Sequence, residues 1–515
     1  MSSTQTSQSS PSTWIIADHI GAGGTLDAIT DPNIRVLSKR DLRDHPDLRI
    51  KHGDKVCLTS ETVLADVLTR MDDLEQCYQV HSLKDKLACR QMLRSTYPNF
   101  YFKAMKLSNL PAASLAPGKK YMVKPVRGYF GSGVRLVEPG DDLAEVTEEI
   151  KKELRRNIEY FSASVLSVED IIIEEYIEGE EYAVDMFYSS TGQPVIVSLC
   201  HHPIPDKREY LDVVYYTGYE IFEKFYDEIF DFFIQLNQTL GAKSLPIHGE
   251  FKYHQGELIP VELNPLRYGS DGFHDLVYHA FGLNSFVCFA NDYQPDWPSL
   301  WRGKEDKFYA FYFGYNGAGL DIASHRPHFS KFYGLFSKIL SDFPLDYRNY
   351  LGFRVVFLEE SSVERIMELV QVEFKDYFID QTGFSEKFYL ELRQNGMEFH
   401  RGSGETLWRQ GDIGDCLLLI LDGYLGVYLD SDDGGEVLHD TVGPGSLVGE
   451  LSVMDGLPRS ATVKTKTSCV LVKITGPNFR ALLRRSPDMM EELYWQQVHR
   501  VRLRSRLVST AEQEG

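Results

Sequence analysis

Read along its apolar and polar positions, the chain has two textures that meet near residue 393. Before it, short apolar runs alternate with long amphipathic stretches; after it, short apolar runs are separated by turns about every eight to twelve residues. Residues 14–20 form an apolar run ahead of Gly21, Ala22, Gly23 and Gly24, which predicts a strand and a tight turn. Segments 35–37 and 55–58 predict further strands of an α/β opening module, and 82–97 reads as a helix beginning around Lys84, Asp85 and Lys86. A strand at 121–125, a glycine turn at 128–133 and a second strand at 134–137 follow. Then come a charged amphipathic helix (143–159), strands at 171–176 and 181–187, a helix at 219–240, a hairpin-like pair (249–253, 258–263), and a strand and helix at 353–358 and 362–374. Residues 379–395 read as a polar, partly helical connection. The short strands 417–421, 425–429, 437–439, 461–465 and 469–474 carry an all-β barrel signature, with a helix expected from 477 to about 506.

Composition bounds the picture. At 515 residues the chain has room for about three or four domains. A formal net charge of -21 argues against a general binder of phosphate backbones, so DNA is not an expected partner. No run approaches the ~20 apolar residues of a spanning helix, so no membrane partner is expected. Residues 1–13, rich in Ser, Thr and Gln, predict a disordered tail rather than a signal peptide. Seven dispersed cysteines without C-x-x-C spacing read as reduced thiols, hence a cytoplasmic protein.

Three groups before residue 375 have the chemistry of Mg-ATP sites. Lys124 closes a strand just before glycines 128, 131 and 133, where backbone N–H groups can lie over phosphates. Carboxylates flank the bend from Glu174 to Glu181. Glu250, Glu262 and Asn264 put oxygen donors on adjacent strands, with Glu262 and Asn264 on one face, a set that suits octahedral Mg²⁺. Taken singly, each has a plain alternative: a common glycine turn, a solvated acidic bend, a strand-ending turn.

Their order and separation resemble the ATP-grasp superfamily over roughly residues 14–375. The resemblance implies an α+β fold with an N-terminal α/β subdomain, a mobile lid and a Mg-ATP-binding subdomain. It implies that Lys86 and Lys124 contact phosphates and that Tyr129, Phe130, Gly131, Ser132 and Gly133 form the lid's glycine loop. It places Glu174 at the adenine edge, the main chain of Glu175, Tyr176 and Ile177 along the base, and Glu181 on ribose. Glu250, Glu262 and Asn264 would hold Mg²⁺, with Arg267 facing the transferred phosphate. The implied reaction is ADP-forming ligation of a carboxylate, through an acyl phosphate, to an amine. The 201–208 segment, with His201, His202, Lys207 and Arg208, is either a substrate-facing or a plain polar loop; zinc at the adjacent histidines is not expected, since neighbours on a strand face opposite ways. His248 reads as packing ahead of a catalytic role, and the aromatic run 308–315 as core ahead of a substrate lid.

In the second texture, Glu450 and Arg459 stand nine residues apart on a short turn. A carboxylate can accept from a ribose hydroxyl while a guanidinium forks onto phosphate oxygens. With 404–412 and 421–423, this resembles the cyclic-nucleotide-binding domain over about 393–500, an all-β barrel with flanking helices. The resemblance gives Glu450 the ribose and Arg459 the phosphate, with Gly449, Leu451 and Ser460 contributing nearby contacts. cAMP is the expected effector, with cGMP left open. Tyr494 and Trp495 read as helix packing or as a cap on the base, and the terminal helix is expected to pair two copies.

The expected organisation is a tail (1–13), an N-terminal α/β domain (14–80), an ATP-grasp domain (81–375, lid about 116–190), a linker (376–392) and a cyclic-nucleotide-binding domain with a C-terminal helix (393–515). The expected function is a carboxylate–amine ligase under cyclic-nucleotide control. Alternatives are a non-catalytic protein binding ATP and cyclic nucleotide, or an ATP-grasp phosphotransferase or thiol ligase.

Overall fold

The computed structural model describes residues 12–18, 24–128, 132–157, 169–205, 212–269, 272–322, 325–380, 384–431 and 434–497. The chain forms two units interleaved along the sequence: Met1–Tyr315 with Phe336–Val372, and Asn316–Leu335 with Glu373–Gly515.

The first unit opens with parallel strands β1 (Thr13–Ala17), β2 (Ile34–Ser38) and β3 (Lys55–Leu58) in the order β2-β1-β3. Every residue of β1 and β3 is buried, as parallel strands covered on both faces require. Next, β4 (Phe102–Lys106), β5 (Tyr121–Pro125), β6 (Arg135–Val137) and β7 (Asp170–Glu175) build an antiparallel sheet in the order β4-β7-β5-β6. The helix Leu143–Asn157 covers it, because Leu143, Val146, Ile150 and Leu154 recur at helical spacing and pack with Tyr121, Val123 and Ile173.

The large sheet takes β8 (Glu180–Tyr188), β9 (Pro194–His202), β10 (Val214–Gly218), β11 (Leu245–His254), β12 (Glu257–Pro265) and β13 (Phe308–Tyr315). The chain then makes β14 (His325–Pro327) in the second unit and returns for β15 (Lys338–Pro344) and β16 (Gly352–Glu360). The eight strands run β12-β11-β8-β9-β10-β13-β16-β15. The helix Tyr219–Leu240 packs on this sheet through Phe222, Phe225, Ile229, Phe232, Phe233 and Leu236, a stripe three and four residues apart.

The second unit continues with β17 (Phe378–Asp380), antiparallel to β14, and β18 (Met397–Arg401). The remaining strands are β19 (Thr406–Trp408), β20 (Cys416–Asp422), β21 (Leu425–Asp430), β22 (Glu436–Val442), β23 (Leu447–Val448), β24 (Thr462–Thr465) and β25 (Cys469–Thr475). They form two four-stranded sheets, β18-β25-β20-β23 and β19-β24-β21-β22. Helices Glu386–Gln394 and Gly476–Arg485 close one core, packing Phe388, Leu392 and Phe479 with Leu419 of β20 and Ile474 of β25.

The long helix and the barrel strands stand where the pattern puts them, and four readings need correction. Residues 82–97 are not one helix: Leu74–Lys84 ends at Asp85, which accepts from Ala88 N and starts Lys86–Met92. Residues 379–395 are not a polar connection, since Phe388 and Leu392 are fully buried and Phe378–Asp380 is a paired strand; 376–392 is therefore packed structure rather than a linker. The small sheet starts at Phe102, ahead of the 116–190 span, and β8 belongs to the large sheet. The terminal helix breaks at Ser486, the cap of Gly476–Arg485, and resumes over 487–497. Expectations for Gly21, Gly23, 158–159 and 498–506 lie outside the described residues. No described helix is long and apolar enough to cross a membrane.

Candidate active site and sensor site

In the first unit, the β11–β12 hairpin sets the geometry. Its antiparallel register places Glu250 opposite Glu262 and His248 opposite Asn264, so the three candidate metal ligands share one patch of sheet. Burial and the facing Glu262 push the Glu250 carboxyl above its ordinary range. Burial also opposes ionisation of Glu262, but Lys86 and Lys84 outweigh it and hold that carboxyl low. The helix break at Asp85 aims both lysines inward. Lys86 Nζ donates to Glu262 Oε1 at 2.7 Å, and Lys84 Nζ donates to Asn264 Oδ1 at 3.1 Å. Hard oxygen donors, two of them like charges opposed across a hairpin, fit a divalent cation such as Mg²⁺. The set includes an amide, and among the described residues no cluster of three or more His, Cys, Asp and Glu is placed for a metal.

Lys124 and Glu174 come from neighbouring strands β5 and β7 and pair at 2.9 Å, both buried. Arg90, from Lys86–Met92, donates to Glu174 Oε1 at 2.6 Å and to the Pro260 carbonyl at 2.6 Å. Burial works against ionisation of Glu174, yet Lys124 and Arg90 prevail and hold its carboxyl down at about 2. The Glu175 and Tyr176 N–H groups donate to Tyr101 O and Lys120 O, both at 3.0 Å, so these two donors are engaged within the sheet. Glu181 accepts from His202 at 2.8 Å, and the His202 ring stacks on Tyr215 at 4.1 Å. His201 turns the other way, to Glu180 and Tyr216. His248 is buried between Asp185, at 2.8 Å, and the Phe273 ring. Arg267 lies 3.7 Å from Glu61 Oε2, next to Leu266, whose N–H donates to the Pro246 carbonyl at 2.7 Å.

Of the expected lid loop, Ser132 and Gly133 are described; Tyr129, Phe130 and Gly131 fall outside. Gly133 donates to Glu153 and has φ +73, and a Cβ there would meet Leu154 at 2.9 Å, so only glycine fits this turn. Among the described residues, Glu61, Lys84 and Arg90 have places in the cluster that sequence reading did not assign. Their partners lie far along the chain, and only the charged residues flanking Asp85 hinted at them.

In the second unit, Gly449 at φ +81 turns β23 into the short helix Glu450–Asp455. A Cβ on Gly449 would collide with the Arg459 guanidinium, so the absence of a side chain lets that group lie against the backbone. Glu450 and Arg459 are 3% and 4% exposed, a depth at which charge needs partners. Arg459 donates to Gly449 O at 3.0 Å and Cys416 O at 2.7 Å and lies 4.0 Å from the centroid of Trp408. Its buried Nε has no hydrogen-bond partner, a donor suited to an anion. Glu450 Oε1 accepts from Gln497 Nε2 at 2.9 Å. Leu451 and Ser460 are exposed, as is Tyr494, whose ring meets Trp495 edge-on.

Comparison with known proteins places two domains on this chain. Residues 118–275 match the ATP-grasp domain and residues 399–486 the cyclic nucleotide-binding domain. An L-amino acid ligase from Bacillus licheniformis shares the fold at TM-score 0.51 and 15% identity, over 72% of this chain and 98% of that one. An uncharacterized ABC transporter ATP-binding protein of Mycobacterium bovis is 36% identical over 94 residues, 18% of this chain and 28% of the relative. The cAMP-activated global transcriptional regulator CRP of Salmonella typhimurium is 32% identical over 107 residues, 21% of this chain and 51% of that protein. The chain thus spans about a quarter to a half of these curated relatives. The protein carries an ATP-grasp domain followed by a cyclic-nucleotide-binding domain, in an α+β fold that ends in an all-β barrel.

Proposed function

We propose that this chain is an ATP-dependent, ADP-forming ligase that joins a carboxylate, through an acyl phosphate, to an amine, under the control of a cyclic nucleotide. The observation that carries the reading is the facing pair Glu250 and Glu262 with Asn264 in the same hairpin, flanked by Lys86, and with the charge of Lys124 acting on Glu262. Bound at these three residues, Mg²⁺ would neutralise phosphate charge and polarise the bond to be broken. Lys86 and Lys124 supply further positive charge for the phosphates. Arg267, steadied by Glu61, meets the oxygens of the transferred group. Gly133 gives the lid loop its turn, and closure over the anhydride excludes water. Glu174 holds Lys124 in place, and Glu181 with His202 offers a polar edge to ribose.

In the sensor, Arg459 takes the cyclic phosphate and Glu450 the ribose hydroxyl. The unpartnered Nε of Arg459 supports this assignment, and likeness to a cAMP-activated regulator favours cAMP over cGMP. We keep the expected division into an α/β opening, an ATP-grasp domain and a sensor, with 316–335 and 376–392 assigned to the sensor unit. Seven free cysteines support a reducing compartment such as the cytoplasm.

The test is ADP release from Mg-ATP against a pool of amino acids and small carboxylates, with and without cAMP or cGMP. Amide formation with ADP release supports the ligase; a phosphate ester would instead favour a phosphotransferase. ATP binding without turnover in any pool would leave a binding protein. Loss of turnover in Glu262→Gln and loss of the nucleotide response in Arg459→Ala locate the two sites.

A further inference from the structure

The buried pair Glu61–Lys84 lies outside the matched ATP-grasp segment, yet Lys84 ends on a candidate metal ligand. Both side chains are about as buried as core residues, at 5% and 6% exposure. Glu61 follows the end of β3 and faces Arg267 as well as Lys84. An ammonium can only donate, so whatever it touches on an Asn side chain must be the carbonyl oxygen. Lys84 therefore fixes which end of the Asn264 amide faces which way. An amide oxygen has two lone pairs, one for the lysine and one for a cation; an NH₂ in that place would repel the cation. We propose that Glu61 and Lys84 are positioning residues that lock the Asn264 amide with its oxygen toward the metal.

This rests on Asn264 being a metal ligand, and the experiment separates the two claims. Mn²⁺ binding to the full chain is measured by electron spin resonance in the presence of a non-hydrolysable ATP analogue. Asn264→Ala should weaken Mn²⁺; unchanged binding overturns the ligand reading and the proposal with it. Lys84→Met should weaken Mn²⁺ by about 10–100-fold, the range for residues that orient a ligand. A carboxylate has two equivalent oxygens and needs no orienting. In an Asn264→Asp background, then, Lys84→Met should cost nothing or improve binding. A loss of equal size in both backgrounds, or none in the Asn264 background, overturns the proposal. Glu61→Gln, which leaves the lysine in place but frees it, should give a smaller loss that Asn264→Asp also removes; a loss that persists there counts against it.

In the sensor unit, Gln497 holds Glu450, the carboxylate assigned to ribose, and the same 487–497 helix carries Glu492. Glu492 Oε2 accepts from Ser385 N at 2.8 Å and pairs with buried Arg326 at 3.3 Å. Arg326 lies in β14, within the Asn316–Leu335 excursion that leaves the large sheet after β13 and returns to it before β15. We infer that Asn316–Leu335 is the lever of the sensor: a ribose hydroxyl taking Glu450 from Gln497 releases the helix and, through Glu492, loosens Arg326.

This too rests on Glu450 binding the nucleotide, which calorimetry with cAMP and cGMP checks directly; absence of binding overturns both. Hydrogen exchange then reads peptides spanning 316–335. Bound nucleotide should speed their exchange in the wild type. In Glu492→Gln and Arg326→Ala, exchange should be fast beforehand and insensitive to nucleotide, with binding retained. Gln497→Ala should tighten binding by removing a competitor. Nucleotide binding with no change over 316–335 overturns the lever.

Discussion

Replacing Glu174 by Gln removes the carboxylate that bridges Lys124 and Arg90. Both oxygens of Glu174 are engaged, by Arg90 at 2.6 Å and Lys124 at 2.9 Å, and the side chain is 3% exposed. The substitution keeps the shape and leaves two buried cations facing one neutral amide. Breaking a buried pair in this way costs about 3–5 kcal/mol. Proton linkage gives an independent figure. A carboxyl at about 2 in the fold against 4.5 outside it contributes about 3 kcal/mol at neutral pH. The folded value is depressed, so this stability is complete above about 4.5 and drains as pH falls toward about 2. The assay is native-state hydrogen exchange of the Val123 and Ile173 amides, which lie in paired strands beside the cluster. Their opening free energy should fall by about 3 kcal/mol in Glu174→Gln at pH 7. That gap should narrow by roughly 1.4 kcal/mol per pH unit below about 4.5. A deficit below about 1 kcal/mol at pH 7, or one indifferent to acid, would refute the argument that a single charged cluster holds β5 to β7 and to Arg90.

Three further outcomes follow from the same geometry. Arg459→Ala should weaken cyclic-nucleotide binding by about 10–150-fold in calorimetry, the worth of charge-assisted hydrogen bonds at 1.5–3 kcal/mol. Trp408→Leu, which removes the ring 4.0 Å from that guanidinium, should cost only about 0.5–2 kcal/mol of the same affinity. Phe388→Ala, in a fully buried position of the sensor core, should lower that unit's stability by about 3–5 kcal/mol in a denaturant melt.

Local periodicity made the long helix and the barrel strands legible. Tyr219–Leu240 has its Phe, Ile and Leu residues in one stripe, and each barrel strand carries its own alternation and turn. What went unread depended on contacts remote in sequence. Asp85 looks like an ordinary helix residue until its carboxylate caps the following turn. The 379–395 segment looked polar because its core residues Phe384, Phe388 and Leu392 are spread among polar and charged neighbours. In the candidate site, the hairpin carboxylates stood out by their spacing in two adjacent strands. Lys84 and Arg90 did not, since their partners lie 180 and 84 residues away. Spacing identifies groups that one hairpin brings together; it is silent about those joined only by the tertiary fold.

The interleaving of the two units bears on how the chain is made. Three crossings, after Tyr315, Leu335 and Val372, separate the segments. On a growing chain the first unit has all its strands once β16 is complete, while Asn316–Leu335 has already emerged and its partner strand β17 has not. That stretch must wait through the synthesis of about forty residues for β17, and longer for Glu492. A stop placed anywhere between the two units would strand it, with its β14 edge and buried Arg326 exposed to solvent. The sensor therefore cannot be removed by shortening the chain from its end: an intact first unit requires cutting out the excursion as well and rejoining β13 to β15.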